Sequence, residues 1–214
     1  MRVIPNSCMP TLDLLESMAL AKKHGVKFAP FAVAKKEGEL ANACKKIGFP
    51  LVLKLVSSKV SHKTEVKGVV LNVRDEAAAA KEFKRLRKLP GFKGVVVQPM
   101  VKGVELIVGG KNDAQFGPTV LFGLGGVFVE IYKDTSLRIC PITGRDAEEM
   151  LDEIKAAGLL KGYRGSKPVN RKKLVELLLN ACKLMAKEKI QELDLNPVIA
   201  NDQEVLAVDA RVVR

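Results

Sequence analysis

Hydrophobic positions follow two different periods along this chain, which predicts a mixture of helices and strands. Apolar residues recur with the roughly 3.6-residue spacing of an amphipathic helix in residues 11–24, 39–47, 75–89, 146–157 and 171–187. Between them lie short apolar runs rich in β-branched residues and bounded by glycine, proline or polar residues, which is typical of strands. Helices and strands alternate early, and strands cluster after Gly94, so the pattern predicts an α/β or α+β protein with two lobes.

A basic loop between two predicted strands, within residues 51–73, is the first candidate for chemistry. The apolar runs 51–56 and 66–73 enclose a loop that contains lysines, hydroxyl side chains and one histidine, His62. Lysine ammonium groups and hydroxyl groups are suitable donors to polyphosphate oxygens. The unperturbed pKa of histidine lies near neutral pH, so His62 is suited to accept and return a phosphoryl group. A solvated basic hairpin has the same pattern, and no Walker-type motif decides between the two interpretations.

The C-terminal sequence ELDLNPVIANDQEVLAVDAR predicts a hairpin that gathers oxygen ligands. Asp194 and Asn196 alternate with leucines, so their side chains share one face of a strand. A hairpin loop at 201–204 brings the next strand back antiparallel and places Asn196 opposite Asp209. Two carboxylates and an amide oxygen are hard ligands that suit Mg²⁺. The polar outer face of an edge hairpin is an alternative that explains the alternation, but it does not explain why acidic groups collect here in a chain of net charge +12. We therefore predict a magnesium site.

Composition and charge argue against a membrane-spanning protein and favour an anionic ligand or partner. The chain has 214 residues, 47% of them hydrophobic, and no apolar run approaches the roughly 20 residues of a membrane span. The first residues lack the apolar stretch of a signal peptide, so we expect a cytoplasmic protein without a membrane partner. The net charge of +12 favours an anionic ligand, a nucleic acid or an acidic partner subunit, and the densest basic run is 81–88.

Other residues that often carry chemistry predict no further site. Cys44 and Cys182 lie on the apolar stripes of predicted helices, which favours reduced, buried thiols. His24 lies at a predicted helix end and is not expected to be a ligand. The glycines of 123–126 either let the backbone approach a ligand or form a turn. No GxGxxG motif opens a helix after a strand, so a Rossmann cofactor site is not expected.

Five segments, taken in order, carry a resemblance to a known family. They are FPLVLKLVSSKVSHKTEVKGV, VVVQPMVKGVELIVGGKNDAQFGP, LFGLGGVFVEIYKDTSLRICPI, LLKGYRGSKP and ELDLNPVIA. Together they resemble the ATP-grasp β subunit, or β-like domain, of ADP-forming acetyl-CoA and acyl-CoA synthetases, in the succinyl-CoA synthetase superfamily. The resemblance implies an ATP-grasp fold with nucleotide bound between an N-terminal lobe, 20–97, and a C-terminal lobe, 98–214. The N-terminal helix 11–19 is expected to pack on the second lobe.

The resemblance also implies roles for individual residues. His62 is similar to the β-subunit histidine that relays a phosphoryl group between a phosphohistidine on the α subunit and ADP. The implied nucleotide contacts are Lys54, Ser57 and Lys63 at the phosphates, the 98–101 segment (Gln98, Pro99, Met100 and Val101) facing adenine, and Glu105 toward the ribose. The implied Mg²⁺ ligands are Asp194, Asn196 and Asp209, the residues that the strand pattern predicts independently. One departure is Lys67, which stands where the family usually has the first of two glycines.

The implied function is the nucleotide-binding half of an acid–thiol ligase that converts acyl-CoA, ADP and phosphate to a carboxylic acid, ATP and CoA. Its cofactors are Mg²⁺ and ATP or ADP, and its partner is a CoA-binding α subunit, in an α2β2 assembly. Three alternatives stay open: an ATP-grasp ligase that forms an acyl phosphate directly, a basic nucleic-acid-binding module that uses 81–88, and a catalytically silent subunit. The sequence names neither the acyl group nor the preferred base, adenine or guanine.

Overall fold

The computed structural model describes residues 11–60, 65–126, 134–162 and 165–214, which divide into two units. The larger unit contains Glu16–Phe28 and Lys102–Arg214, and the smaller one contains Asp13–Leu15 and Ala29–Val101. The first helix, α1 (Leu14–Lys23), lies mostly in the larger unit. No helix of the described residues is long and apolar enough to cross a membrane.

The smaller unit is a sheet with two helices on one face. Its elements are β1 (Ala32–Ala34), α2 (Glu37–Ile47), β2 (Leu51–Ser57), β3 (Val69–Val73), α3 (Glu76–Leu86) and β4 (Phe92–Pro99). The strands are antiparallel in the order β1-β4-β2-β3. Leucines and valines of β2 and β4 pack against α2 and α3 around Phe83, which is fully buried. The period of two in β2 therefore directs every second residue away from this core.

The larger unit is a second antiparallel sheet that packs on a long helix. Its elements are β5 (Val104–Asp113), β6 (Gly117–Leu124), β7 (Thr135–Ile139), α4 (Gly144–Glu153), α5 (Ala157–Leu160), α6 (Arg171–Glu188), β8 (Glu192–Ala200), β9 (Val205–Ala207) and β10 (Arg211–Val213). The strand order is β10-β8-β5-β6-β7, with β9 paired to β8. Helix α6 covers one face so closely that a Cβ on Gly110 of β5 would lie 2.7 Å from Met185 Sδ. The other face carries the polar residues of β8.

The helix predicted at 146–157 ends in the structure at Glu153, and a separate short helix, α5, begins only at Ala157. Thr143 caps α4 in a reciprocal capping box with Asp146, which starts the helix before the predicted residue. The carboxylate of Asp134 then accepts the backbone N–H groups of Lys155 at 2.6 Å and Ala156 at 2.8 Å. These bonds interrupt the helical pattern after Glu153 and restart it as α5. The strand predicted at 127–131 lies outside the described residues.

The prediction of a reduced thiol at Cys182 is wrong. Cys182 on α6 forms a disulfide with Cys140, which follows β7, and the two Cα atoms are 5.6 Å apart. The residues are 42 positions apart, so no local pattern indicates the pair. Cys44 is free and buried, as predicted, and burial raises the pKa of its thiol.

Candidate functional site

Lys54 lies in the middle of β2, where all seven residues are buried. Its neighbours Leu53 and Leu55 belong to the core under α2 and α3, so the alternation of the strand places Lys54 on the opposite face. Only 5% of Lys54 is exposed. Lys54 therefore interacts within the protein at this buried position, and its ammonium group is of the type that binds phosphate oxygens.

Gln98 of β4 lies on the same face as Lys54. It is directly opposite Val52, two residues before Lys54 on the neighbouring strand. Gln98 is 1% exposed, and neither its Oε1 nor its Nε2 has a hydrogen-bond partner among the described residues. A buried polar group without a partner destabilises a fold by about 1–3 kcal/mol. The Gln98 amide is therefore a buried polar group on this face whose donor and acceptor atoms both lack a hydrogen-bond partner among the described residues.

The 98–101 segment leaves one backbone donor open. Pro99 has no N–H group, and the Met100 N–H donates to the Pro50 carbonyl at 3.4 Å. Among the residues that the structure describes, none accepts a hydrogen bond from the N–H of Val101. Val101 is thus the backbone donor of this segment that remains for a ligand.

Ser57 shapes the start of the basic loop. Its Oγ donates to the Pro90 carbonyl at 2.7 Å and accepts the N–H groups of Lys59 at 3.0 Å and Val60 at 3.1 Å. The single hydroxyl proton of Ser57 is therefore already engaged, and the residue turns the chain as it leaves β2. His62 and Lys63, the other predicted residues of this loop, lie outside the described residues.

Lys67 adopts a conformation that favours glycine. Its φ is +51°, in the left-handed region, and its carbonyl accepts a hydrogen bond from Arg85 Nη2 at 2.7 Å. The Gly68 carbonyl that follows accepts the N–H of Leu55 at 2.8 Å, which aligns the chain with β2. A left-handed residue with a Cβ costs roughly 1–2 kcal/mol. This conformation gives a physical reason for glycine at the position in the resembling family.

The predicted metal ligands lie on the face of the larger sheet that α6 does not cover. Asp194 and Asn196 are on β8, and Asp209 is between β9 and β10. Strand β9 pairs with one end of β8, and β10 pairs with the other end, where Arg211 is opposite Asp194. Both ladders keep the same register on either side of Asp209, which itself lies outside the strands. The pairing of Asn196 with Asp209 stays a prediction.

A β-bulge shapes this patch. Asn196 and Pro197 of β8 lie opposite one residue of β5, because the register of the ladder shifts there by one residue. Bulges re-aim side chains and are common beside functional sites. This bulge lets Leu195 and Val198, three positions apart, both point into the core, while Asn196 stays exposed.

Sequence reasoning missed Arg211 in this patch. Its place opposite Asp194 follows from the same hairpin register, and its Nη1 lies 3.6 Å from Glu192 Oε2. No group of three or more His, Cys, Asp or Glu side chains in the described part of the chain could hold a metal ion. A metal at this patch therefore needs the amide oxygen of Asn196 with the two aspartates. All three are hard oxygen donors, and the set fits Mg²⁺.

Glu105 on β5 lies beside the glycines of 123–126. The N–H of Gly125 donates to the Glu105 carbonyl at 2.7 Å, and a Cβ on Gly125 would lie 2.8 Å from the N atom of Leu106. A Cβ on Gly126 would lie 2.9 Å from Glu105 Oε2. These glycines therefore permit close approach of two segments of the chain itself.

His24 pairs with a carboxylate at the ends of α1 and α6. Its Nε2 lies 2.7 Å from Glu188 Oε1, which also accepts from Lys23 Nζ at 3.2 Å. The hydrogen bond with His24, and then the one from Lys23, lower the pKa of Glu188. His24 is thus a helix-terminal residue, as predicted, with a structural partner.

Comparison with known proteins gives a family and several near full-length matches. A family model described as ATP-grasp domain matches residues 7–213. The acetate–CoA ligase [ADP-forming] I subunit beta of Pyrococcus furiosus is 40% identical over 207 residues, which is 92% of this chain and 89% of that protein. The acetate–CoA ligase [ADP-forming] II of Archaeoglobus fulgidus is 44% identical, but the chain spans only 29% of its length.

A solved structure agrees with these matches. The dinucleotide forming acetyl-coenzyme A synthetase 1 of Ca. Korarchaeum cryptofilum has been solved in complex with coenzyme A and Mg-AMPPCP, with a phosphohistidine segment pointing towards the nucleotide binding site. Its matching chain superimposes with a TM-score of 0.82 at 40% identity, over 95% of this chain and 92% of that chain. The ATP-grasp fold that the sequence predicted is thereby confirmed.

Proposed function

The chain belongs to the ATP-grasp domain family, and on that premise we propose that it is the β subunit of an ADP-forming acyl-CoA synthetase. The overall reaction converts acyl-CoA, ADP and phosphate to the free acid, ATP and CoA. This chain binds the nucleotide and transfers the phosphoryl group from a phosphohistidine to ADP. The observation that carries the proposal is the match of nearly the whole chain to nearly the whole of a Pyrococcus β subunit.

The proposal assigns nucleotide contacts to individual residues. In the smaller unit, the N-terminal lobe, Lys54 neutralises the phosphates and the 98–101 segment binds adenine, with the open N–H of Val101 as donor. In the larger unit, the C-terminal lobe, Glu105 binds the ribose. Phosphoryl transfer depends mainly on positioning and on charge neutralisation, and the buried position of Lys54 supports both.

Asp194, Asn196 and Asp209 would hold Mg²⁺, which supplies positive charge to the nucleotide phosphates. Arg211 holds Glu192 at the edge of this patch. His62 relays the phosphoryl group between the partner's phosphohistidine and ADP, because its imidazole nitrogen is nucleophilic near neutral pH.

A CoA-binding α subunit completes the enzyme, in an α2β2 assembly. A relative of which the chain covers 89% is named as a β subunit, and that name supports a partner subunit. We expect the assembly in the cytoplasm, where ADP and CoA thioesters occur. Nucleic acid is not the expected ligand of the run 81–88, because its aromatic residue, Phe83, is fully buried and offers no stacking surface.

Thermal unfolding with and without nucleotide tests the proposal. Binding to the folded state alone stabilises it by about 2.7 kcal/mol at a ligand concentration of 100 Kd, so Mg·ADP at that excess raises Tm by roughly 5–11 °C. Lys54→Met keeps the side-chain volume but removes the charge, and it should reduce the shift strongly. Lys172→Met, at an exposed position of α6, is the matched control and should keep the shift. No shift of the folded wild-type chain with millimolar Mg·ADP or Mg·ATP would refute nucleotide binding.

The relay has its own test, which needs the α subunit. His62→Asn keeps a hydrogen-bond donor and removes the nucleophile. With acyl-CoA and phosphate supplied, the phosphohistidine of the α subunit should still form, while ATP production from ADP should stop. ATP production at the wild-type rate would show that His62 does not carry the phosphoryl group.

A further inference from the structure

Gln98 is a buried amide without a partner. The residue is 1% exposed, and among the described residues neither Oε1 nor Nε2 makes a hydrogen bond. Nearly all buried polar groups of native proteins are hydrogen-bonded, and the exceptions require an explanation. An amide that is closed off from water but open at both atoms is explained when a ligand supplies the missing donor and acceptor.

The surroundings of Gln98 indicate where such a ligand lies. Its opposite neighbour is Val52, and the residue two positions earlier on β4 is Val96, which is opposite Lys54. Gln98 and Lys54 are therefore diagonal neighbours across two strands, with Cα atoms about 7–8 Å apart. In the direction of β4, the cation of Lys54 on β2, opposite Val96, comes first and the amide of Gln98 second. The open N–H of Val101 follows just after the end of β4. Both valines are buried and apolar.

An elongated ligand with a phosphate at one end and a flat polar ring at the other matches this order. With its phosphates at Lys54 and its base at the 98–101 segment, a nucleotide passes its base over Gln98. The apolar neighbours offer the ring no competing polar contact. The amide of Gln98 then meets the edge of the base that carries hydrogen-bonding groups.

We propose that the Gln98 side chain reads this edge and selects adenine over guanine, an inference that rests on the proposed nucleotide binding. An amide has one acceptor, Oε1, and donors on Nε2. Adenine presents a donor at its 6-amino group beside an acceptor at N7, so both atoms of the amide pair with it. Guanine presents two acceptors, O6 and N7, and Oε1 then faces another acceptor. A bidentate pair of this kind discriminates between bases by about 5- to 150-fold.

Calorimetric titration of the full chain with Mg·ADP, Mg·GDP and Mg·7-deaza-ADP tests this inference. The wild-type chain should bind ADP at least about fivefold more tightly than GDP, and the deaza analogue, which lacks the N7 acceptor, should also bind more weakly than ADP. Gln98→Leu keeps the size of the side chain and removes the amide. This variant should lose affinity for ADP, bind ADP and GDP alike, and be insensitive to the deaza substitution. Gln115→Leu, at an exposed position, is the matched control and should behave as wild type.

The stability of Gln98→Leu gives a second, independent readout. Replacing an unpartnered buried amide by an apolar group of similar shape is neutral or stabilising, so Tm without nucleotide should stay the same or rise. A marked fall in Tm would show that the amide has a structural role and would overturn the inference. An unchanged ratio of ADP to GDP affinity in Gln98→Leu would also overturn the inference. The same would follow if the deaza analogue lost as much affinity for Gln98→Leu as for the wild-type chain.

Two further outcomes separate this inference from the function on which it rests. Absence of any nucleotide binding by the wild-type chain refutes the proposed function itself, whereas binding without base selection refutes only the role of Gln98. Coenzyme A also contains adenine, so a titration with CoA is included. Binding of CoA that depends on Gln98 and excludes ADP would assign the amide to CoA and overturn its assignment to the nucleotide.

Discussion

Loss of the Cys140–Cys182 disulfide should lower the free energy of unfolding of the larger unit by about 4 kcal/mol. The bond joins the chain after β7 to α6 and closes a loop of 42 residues. Cross-linking a loop of that length removes about 13 cal/mol/K of entropy from the unfolded chain, which is about 4 kcal/mol at 25 °C. For a protein of this size, 4 kcal/mol corresponds to a decrease in Tm of roughly 8–16 °C.

Urea unfolding of the oxidised and reduced protein measures this difference. The double variant Cys140→Ala/Cys182→Ala should unfold like the reduced protein and show no further effect of reductant. Cys44→Ala, which changes the free buried cysteine, is the matched control and should keep the full effect of reductant. Hydrogen exchange should show faster opening of peptides from α6 and β7 after reduction, with little change in the sheet of the smaller unit. Equal urea midpoints for oxidised and reduced protein would refute the reasoning.

Three other changes have defined outcomes. Asp209→Asn should weaken nucleotide binding by about tenfold or more in Mg²⁺ and much less without it; calorimetry that finds equal losses in both conditions would make Asp209 a structural residue. Lys67→Gly should raise the free energy of unfolding by about 1 kcal/mol, because φ is +51° there; an unchanged urea midpoint would contradict this. Glu188→Gln should slightly destabilise the protein at neutral pH, because the hydrogen bond with His24 lowers the pKa of Glu188. That contribution is present above the ordinary carboxyl pKa and is lost as pH falls through the lowered one, so wild type and variant should converge in acid; a difference that persists there would contradict the pairing.

The C-terminal hairpin was predictable because its determinants are local. Alternation fixed which residues of β8 share a face, and the length of the loop at 201–204 fixed the register. The register extends from the Ala200–Val205 pair to the Arg211–Asp194 pair without a net shift. The bulge at Asn196 and Pro197 was not predictable, because it exists only relative to β5, a strand that lies far away in the sequence.

Long-range contacts account for the other differences. The break between α4 and α5 depends on Asp134, whose carboxylate accepts backbone N–H groups about twenty residues later in the chain. The disulfide joins Cys140, at the end of a strand, to Cys182, on the apolar stripe of a helix. Neither local sequence differs from that of an ordinary strand end or helix. A cysteine on such a stripe has the same hydrophobic pattern whether its thiol is free or bonded. Whether two cysteines form a disulfide depends on their positions in three dimensions, and the hydrophobic periodicity of the sequence does not indicate those positions.

Gln98 shows what burial adds to a residue that the sequence already singles out. A glutamine at the end of GVVVQP is polar, follows a buried run and precedes a proline, and these features fit a strand that ends at the surface. In the structure Gln98 lies opposite Val52 of β2 and is only 1% exposed, so its side chain is enclosed. Water can form the hydrogen bonds of an exposed glutamine amide. A buried amide instead needs a partner that has a matching donor and acceptor. The inference about base selection therefore arises from the burial of an amide whose two polar atoms have no partner among the described residues.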